Sequence, residues 1–208
     1  MVLLVRHGKT PTTGKVLPGR APGLHLSDEG RAQAEAVGGR LAALVAAGRR
    51  PPVSVYASPL ERTMETARPI ARQLGLRVRT ERGLLECEFG EWTGARLTTL
   101  VKKPEWRQVQ QWPSGFRFPG GESFQEMQAR MSSAIARLVE MHRGETVVAV
   151  SHADPIKAAV NMAAGTHLDL FQRLFISPCS VSALAYSPAG PAVLTVNSTA
   201  SLDDLAVA

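Results

Sequence analysis

The sequence predicts an α/β fold, a three-layer sandwich with a mostly parallel sheet and helices on both faces. Short apolar runs such as residues 2–5 and 146–150 are continuous rather than alternating, which is typical of strands buried on both faces. These runs alternate along the chain with longer segments of helical periodicity. That alternation is the pattern of a doubly wound domain.

The first strand is predicted at Val2–Val5, followed by a loop at residues 11–26 that is rich in Pro, Gly and Thr. Ser27 then has the character of a helix N-cap, although Gly30 leaves the capping box incomplete. Helical spacing of apolar residues continues to about Ala47, and Gly48 is expected to end this helix.

A second strand is predicted at Val53–Ala57, and a helix at Leu60–Leu74 that ends at Gly75. Residues Leu76–Arg79 alternate apolar and charged side chains, which indicates a third strand. The order of these elements repeats the alternation of strand and helix.

The next buried strand is predicted at Thr146–Val150. Asp154 and Pro155 are expected to start the following helix, with proline at its first position and Asp154 as the N-cap. Two strands late in the sheet are predicted at Val181–Tyr186 and Val193–Val196.

Residues 90–121 interrupt the alternation because they carry no strand pattern. All three tryptophans of the chain, Trp92, Trp106 and Trp112, lie in this segment. We predict a partly helical cap insertion whose tryptophans pack within it, followed by a long helix from Ser123 to His142. Residues 1–208 are expected to form one domain that includes this insertion.

Composition restricts the class of protein. No apolar run approaches the roughly 18 residues of a membrane span, and the opening run is too short for a signal peptide, so we expect a cytoplasmic protein. The two cysteines, Cys87 and Cys179, lack metal-like spacing and are expected to be free thiols. The net charge of +6 is scattered, without the dense basic tract that would indicate nucleic-acid or membrane binding.

Polar side chains follow three of the predicted parallel strands. Arg6 and His7 follow the first, Arg62 lies just beyond the second, and His152 follows the strand that ends near residue 150. Glu86 lies in a separate predicted turn that does not follow one of these strands. Because parallel strands share one carboxyl edge, where open α/β folds bind ligands, these side chains are expected to converge.

Two arginines, two histidines and one carboxylate at one edge predict a pocket for a phosphate monoester. Arg6 and Arg62 can bind the non-bridging oxygens, and their charge lowers the pKa of His7 so that it stays neutral and nucleophilic. His152 can donate to the phosphoryl oxygens, and Glu86 can protonate the leaving alkoxide. No pair of histidines has metal-ligand spacing, so no metal site and no cofactor are expected.

The order of these groups resembles the histidine phosphatase superfamily, which is also called phosphoglycerate mutase-like. The matching pieces, in chain order, are the strand with RHG at residues 4–8, LSDEGRAQA at 26–34, SPLERTMETA at 58–67, LLECEFGEWTG at 84–94, PGGES at 119–123 and VSHAD at 150–154. Together they span nearly the whole chain.

The resemblance implies a phosphoglycerate mutase-like fold in which His7 becomes a phosphohistidine. It implies Arg6, Arg62 and His152 as phosphate ligands, and Glu86 as general acid and later as the base for water. Thr13 and Ala153 are the other expected phosphate contacts. The resemblance implies no metal, and members of the family are usually cytoplasmic and often dimeric. The expected substrate of this chain is a small phosphorylated metabolite.

This chain departs from the family pattern in the loop after the first strand. Thr13 occupies a position where many members have asparagine, and the Trp and Asp that mutases carry before the LS element are missing from residues 22–25. These departures favour a phosphatase over a mutase. A mutase remains the nearest alternative, and a non-catalytic module that binds phosphorylated ligands is another. Intact His7, Glu86 and His152 argue against that module, because binding alone needs no nucleophile.

Overall fold

The computed structural model describes residues 1–46 and 50–199. Its strands are β1 (Val2–Arg6), β2 (Pro52–Ala57), β3 (Val78–Thr80), β4 (Thr146–Ser151), β5 (Val181–Ser187) and β6 (Gly190–Ser198). They form one sheet in the order β3-β2-β4-β1-β5-β6. The strands from β3 to β1 are parallel, whereas β5 runs antiparallel to β1 and to β6. The predicted mostly parallel α/β fold is therefore confirmed.

The helices are α1 (Asp28–Ala46), α2 (Glu61–Gln73), α3 (Leu97–Leu100), α4 (Pro104–Gln111), α5 (Phe124–Met141) and α6 (Ala153–Ala163), together with four short 3-10 helices. Successive residues of β1 point to opposite faces of the sheet. Its Leu3 and Val5 pack with α1 and α2, and its Val2 and Leu4 pack with α5 and α6. Both faces are thus covered. No helix in residues 1–46 and 50–199 is long and apolar enough to cross a membrane.

The register of the parallel strands brings their carboxyl ends to one edge. Arg6 of β1 lies opposite Ser151 of β4, and Ala57 of β2 lies opposite Val150 of β4. The backbone continues this alignment for one residue, since the His7 N–H donates to the Ser151 carbonyl at 3.0 Å. The predicted convergence of the chain segments after these strands is therefore confirmed.

The third strand was predicted too early. It starts at Val78 rather than Leu76, because Leu76 belongs to the stop of α2. Gly75 adopts φ +67°, its N–H donates to the Arg72 carbonyl, and the Leu76 N–H donates to the Ala71 carbonyl at 2.8 Å. This pair of bonds is a Schellman motif, which uses two residues past the helix before a strand can begin.

The start of α6 was also misplaced. The helix begins at Ala153, so His152 occupies the N-cap position and Asp154 does not. The chain passes directly from β4 through an extended His152 into the helix. Pro155 is tolerated at the third helical position because the first N–H groups of a helix lack an intrahelical partner. By contrast, Ser123 caps α5 with a complete capping box. Gly48, the predicted end of α1, lies outside the described residues.

The segment 90–121 is partly helical, as predicted, and contains no strand apart from single bridging residues at Arg96 and Arg117. A cluster of edge-to-face aromatic rings holds it against the start of α5: Phe89, Trp92, Phe116, Phe118 and Phe124. Trp92 also stacks on Trp106, whereas Trp112 is 58% exposed. Packing within the cap therefore accounts for two of the three tryptophans.

Gly30 provides a test of how closely α1 approaches the strand end that carries His7. A Cβ at this position would lie 2.0 Å from the Lys9 carbonyl oxygen, so Gly30→Ala should push the first turn of α1 away. We expect the free energy of unfolding to fall by about 1–3 kcal/mol, as for other overpacked sites, measured by urea denaturation. The control is Gly39→Ala in the same helix, where the nearest atom would lie at 3.5 Å and a gain of about 0.4–1 kcal/mol is expected. Equal effects of the two substitutions would contradict this account.

Candidate active site

His7 lies immediately after β1 and is 6% exposed. Its Nδ1 is 2.8 Å from the Gly8 carbonyl oxygen, which can only accept, so Nδ1 carries the proton and Nε2 keeps a lone pair. The Gly8 N–H in turn donates to Thr66 Oγ1 on α2 at 3.0 Å, which fixes this backbone. Burial, and then the charges of Arg6 and Arg62, hold the pKa of His7 well below 6.5. A neutral, oriented imidazole of this kind can act as a nucleophile.

The two arginines are held by backbone carbonyls. Arg6 Nη1 donates to the Ile176 carbonyl at 2.6 Å, and Arg62 Nη2 donates to the Gly19 carbonyl at 2.8 Å. Arg62 is fully buried, although it lies in the first turn of a helix where arginine is usually exposed. Burial lowers the pKa of both guanidinium groups, and the charge of Glu86 opposes that shift. One terminal nitrogen of each guanidinium group is thus fixed, and its other N–H groups are left to donate to another partner.

His152 lies at the start of α6 with its ring fully buried. Its Nε2 is 2.9 Å from Ser58 Oγ, at the end of β2, and its ring packs edge-on against that of His7 with centroids 5.2 Å apart. Burial, followed by the charges of Arg62, Arg6 and Arg130, holds the pKa of His152 well below 6.5. When the Ser58 hydroxyl donates to Nε2, the proton of His152 is on Nδ1 and is available to a ligand.

Four donor atoms of these side chains are buried and have no hydrogen-bond partner in the part of the chain that the structure describes. They are Arg6 Nε, Arg62 Nε, Arg62 Nη1 and His152 Nδ1. A buried donor without a partner costs about 1–3 kcal/mol, so a cluster of them indicates a ligand that accepts hydrogen bonds. Two of the three side chains are cationic, which favours an anion. The site can therefore bind a compact oxyanion beside His7.

Glu86 is 7% exposed, and its Oε2 lies 3.9 Å from His152 Nδ1. The Cys87 N–H donates to Glu86 Oε1 at 3.0 Å. Burial, supported by the charge of Asp154, raises the pKa of Glu86 to about 7, against the opposing charges of Arg62 and Arg6. A carboxyl group with this pKa can both donate and accept a proton near neutral pH.

Glu88, two residues further on, lies outside this cluster. Its side chain is 37% exposed and pairs with Arg20 at 3.5 Å. Of these two glutamates, only Glu86 lies beside His152, with its Oε2 3.9 Å from Nδ1. The geometry therefore favours Glu86 over Glu88 as the residue that exchanges a proton.

Thr13 and Ala153, the other predicted phosphate contacts, and the neighbouring Asp154 have local partners or roles of their own. Thr13 is half-buried, and its Oγ1 accepts from the Thr10 N–H at 2.9 Å, so this hydroxyl serves its own turn. Ala153 opens α6, where its N–H lacks an intrahelical partner and can donate. Asp154 pairs with Lys157 at 3.4 Å, and that lysine also donates to Gln172.

Sequence reasoning missed several polar groups that support the site. Ser58 orients His152, Thr66 holds Gly8, and the carbonyl of Gly19 holds Arg62. Ser58 and Thr66 flank Arg62 in the motif at residues 58–67. Ser58 follows the end of β2 and Thr66 lies one helical turn after Arg62, so the spacing of these residues could have indicated that they support the site. The Gly19 contact joins residues 43 positions apart and leaves no local pattern.

Within the described residues, no group of three or more His, Cys, Asp or Glu side chains is arranged to bind a metal ion. Both cysteines are free and buried, and burial raises the pKa of each thiol.

Comparison with known proteins gives a consistent family. The family model described as histidine phosphatase superfamily (branch 1) matches residues 2–199. A bifunctional protein of Mycobacterium tuberculosis is 33% identical over 203 residues, which cover 95% of this chain and 54% of that protein. The chain therefore spans about half the length of that relative. A probable phosphoglycerate mutase of Salmonella paratyphi C is 30% identical over 187 residues, covering 89% of this chain and 84% of the mutase.

Solved structures share the fold. Bacillus stearothermophilus YhfR has a TM-score of 0.86 at 24% identity, with 96% of this chain and 97% of that chain covered. A mycobacterial glucosyl-3-phosphoglycerate phosphatase has a TM-score of 0.83 at 24% identity, covering 95% of this chain and 98% of that one. At this level of identity the likeness concerns architecture.

Proposed function

The chain belongs to the histidine phosphatase superfamily (branch 1), and from that premise we propose that it is a phosphomonoesterase acting on small phosphorylated metabolites. The observation that carries the proposal is a set of four buried donors that have no hydrogen-bond partner among the described residues. They belong to His152, whose ring contacts that of His7, and to Arg6 and Arg62, whose charges act on His7. A phosphate monoester is largely dianionic at neutral pH and offers three terminal oxygens to such donors. At an effective dielectric near 20, one opposite charge about 4 Å away contributes about 4 kcal/mol.

In the first step, Nε2 of His7 attacks phosphorus and the bond from phosphorus to the ester oxygen breaks. Arg6, Arg62 and His152 hold the terminal oxygens while charge is redistributed. Glu86 gives its proton to the departing alkoxide, so the alcohol leaves neutral. The products of this step are the alcohol, a phosphohistidine and an ionised Glu86.

In the second step, the Glu86 carboxylate takes a proton from water as the water oxygen attacks the phosphohistidine. The bond between phosphorus and Nε2 breaks, inorganic phosphate is released, and His7 returns with its lone pair. Glu86 ends the cycle protonated. A pKa near 7 suits a group that alternates between these two roles.

Similarity to a probable phosphoglycerate mutase supports one second candidate. A mutase would use the same first step but return the phosphoryl group to a second hydroxyl rather than to water. The loop at residues 13–25, which differs from the mutase pattern at Thr13 and before Ser27, favours hydrolysis. The two reactions share every residue of the first step, so only their products separate them.

The test is a phosphate-release assay over a panel of phosphorylated metabolites, repeated after prolonged chelation of divalent metal. We expect steady release of inorganic phosphate from at least one member, with the rate unchanged by chelation, because imidazole and guanidinium groups supply the chemistry. Isomer formation without phosphate release would favour the mutase. Loss of activity that one added metal restores would overturn metal independence. Binding of phosphorylated compounds without any turnover would leave a binding module.

A further inference from the structure

Arg20, in the loop after β1, contacts the segment that carries Glu86. Its Nε donates to the Glu86 carbonyl oxygen at 2.8 Å, and its Nη2 donates to Glu122 Oε2 at 2.8 Å. The third nitrogen, Nη1, lies 3.5 Å from Glu88 Oε2. The guanidinium group therefore spans the backbone of Glu86 and the carboxylate of a residue 36 positions further along the chain.

Arg130 of α5 also contacts this backbone. Its Nη2 donates to the Glu86 carbonyl at 3.2 Å, and its Nη1 donates to the carbonyls of Gly83 and Leu85 at 2.8 and 2.9 Å. Its Nε and Nη2 both donate to the carboxylate of Glu122. Arg20 and Arg130 thus both donate to the Glu86 carbonyl and to the Glu122 carboxylate.

Glu122 joins the two arginines to a second point on the backbone of this segment. Its Oε2 accepts from the backbone N–H of Glu88 at 3.0 Å as well as from both arginines. Burial alone would raise the pKa of Glu122, but hydrogen bonds from Arg130 and Glu88 and the two nearby positive charges hold it below its usual value. The ionised carboxylate keeps the two arginines together on one stretch of backbone.

Glu86 depends on this backbone for its position. The only hydrogen bond that the structure gives to its carboxyl group within the described residues comes from the adjacent Cys87 N–H. The place of the carboxyl beside His152 is therefore set by where the main chain of residues 86 and 87 is held. Misplacing a reacting group by about 1 Å can cost about 10²-fold in rate.

We propose that Arg20 is a positioning residue that holds the general acid Glu86 at its working distance from the phosphoryl site, together with Arg130 and the shared carboxylate of Glu122. The Arg20 side chain makes none of the contacts that hold Arg62 or His152, so its own hydrogen bonds reach the reaction through Glu86. The adjacent Gly19 carbonyl holds Arg62 at 2.8 Å, and inhibition by inorganic phosphate reports whether a substitution of Arg20 disturbs that contact. The inference rests on the proposed function, because it assumes that Glu86 transfers a proton.

The experiment compares Arg20→Gln with wild type on an alkyl phosphate and on a nitrophenyl phosphate. The alkyl ester needs the proton from Glu86, whereas nitrophenolate leaves without it. We expect formation of the phosphoenzyme from the alkyl ester to slow by about 10-fold to 100-fold, and from the nitrophenyl ester by less than about threefold. Inhibition by inorganic phosphate should stay within about threefold, because the donors to phosphate are untouched.

The matched control is Arg31→Gln. Arg31 also binds a backbone carbonyl, that of Leu26 at 2.9 Å, and a carboxylate, that of Asp28 at 2.7 Å, but both lie away from Glu86. It should leave both esters unaffected. A double-mutant cycle adds Glu86→Gln, in whose background Arg20→Gln should have little further effect on the alkyl ester.

Three outcomes would overturn the positioning role while leaving the proposed function intact. The first is an equal loss of rate on both esters, and the second is a loss of phosphate inhibition as large as the loss of rate on the alkyl ester. The third is that Arg20→Gln slows the alkyl ester as much in the Glu86→Gln background as in wild type. If Glu86→Gln itself lacks any dependence on the leaving group, the assigned acid is wrong and the inference falls with it. If Arg20→Gln fails to fold, Arg20→Lys serves in its place, since one ammonium group keeps the charge but cannot reproduce the two-pronged contact.

Discussion

Replacing His7 with alanine should abolish turnover of every phosphate ester and leave the fold intact. The remaining donors still bind the phosphoryl group, but no lone pair is left to attack it. We expect a loss of about 10⁴-fold or more, the scale seen when a nucleophile is removed from a site whose binding groups remain. The only hydrogen bond of the His7 side chain in the described structure goes to its neighbour Gly8, so the substitution removes the ring contact with His152 but no hydrogen bond to a distant residue.

The intermediate can be trapped directly. Wild-type protein quenched in alkali during turnover should carry one phosphoryl group on His7, stable to base and lost in acid, and His7→Ala should carry none. His167→Ala is the control, because the side chain of His167 is 69% exposed. If the His7 variant retains a tenth of wild-type activity, or if the phosphoryl group is found on another residue, the nucleophile has been misassigned.

The sequence was sufficient to predict groups whose position follows from local pattern and sheet geometry. Continuous apolar runs predicted β1 and β4, and the parallel arrangement of those strands then required Arg6, His7 and His152 to meet at one edge. Such inferences need only the period of the side chains and the direction of the strands. Two of the boundaries that failed, at Leu76 and Ala153, are those where a helix stop or start competes with an adjoining strand. The last strand was also predicted too short, at Val193–Val196, whereas β6 spans Gly190–Ser198.

The network around Glu122 could not be predicted in the same way. Arg20, Glu122 and Arg130 come from the loop after β1, the residue after the insertion and a helix, and none lies directly at the end of a strand. Their pairing depends on how far the segment 90–121 folds back. That return is set by aromatic packing among residues far apart in the chain, for which hydrophobic periodicity gives no signal.

Glu86→Gln should slow alkyl phosphates strongly and nitrophenyl phosphate little in the first step of the reaction. An alkoxide leaves poorly without a proton, so formation of the phosphoenzyme from an alkyl ester should fall by about 10²–10⁴-fold. A nitrophenolate is already a weak base and needs no acid. Both esters share the later attack of water, which also requires Glu86, so the two steps must be separated by pre-steady-state kinetics rather than by steady-state rates.

The dependence on pH follows from the raised pKa of Glu86, about 7. The acid must be protonated in the free enzyme, so kcat/KM for the alkyl ester should fall as the pH rises through this value. His7, whose pKa is well below 6.5, stays neutral throughout and adds no limb in this range. The alkaline fall should be absent in Glu86→Gln and weak for the nitrophenyl ester in wild type.

Glu88→Gln is the control that the chain itself provides for this last prediction. Glu88 lies two residues away in the same turn, but it is half-buried and paired with Arg20. Its substitution should have a small effect, equal for the two esters, because its carboxyl lies outside the cluster of His7 and His152. Burst kinetics of both variants with both esters decide the matter. A strong dependence on the leaving group for Glu88, and none for Glu86, would reverse the assignment of the acid.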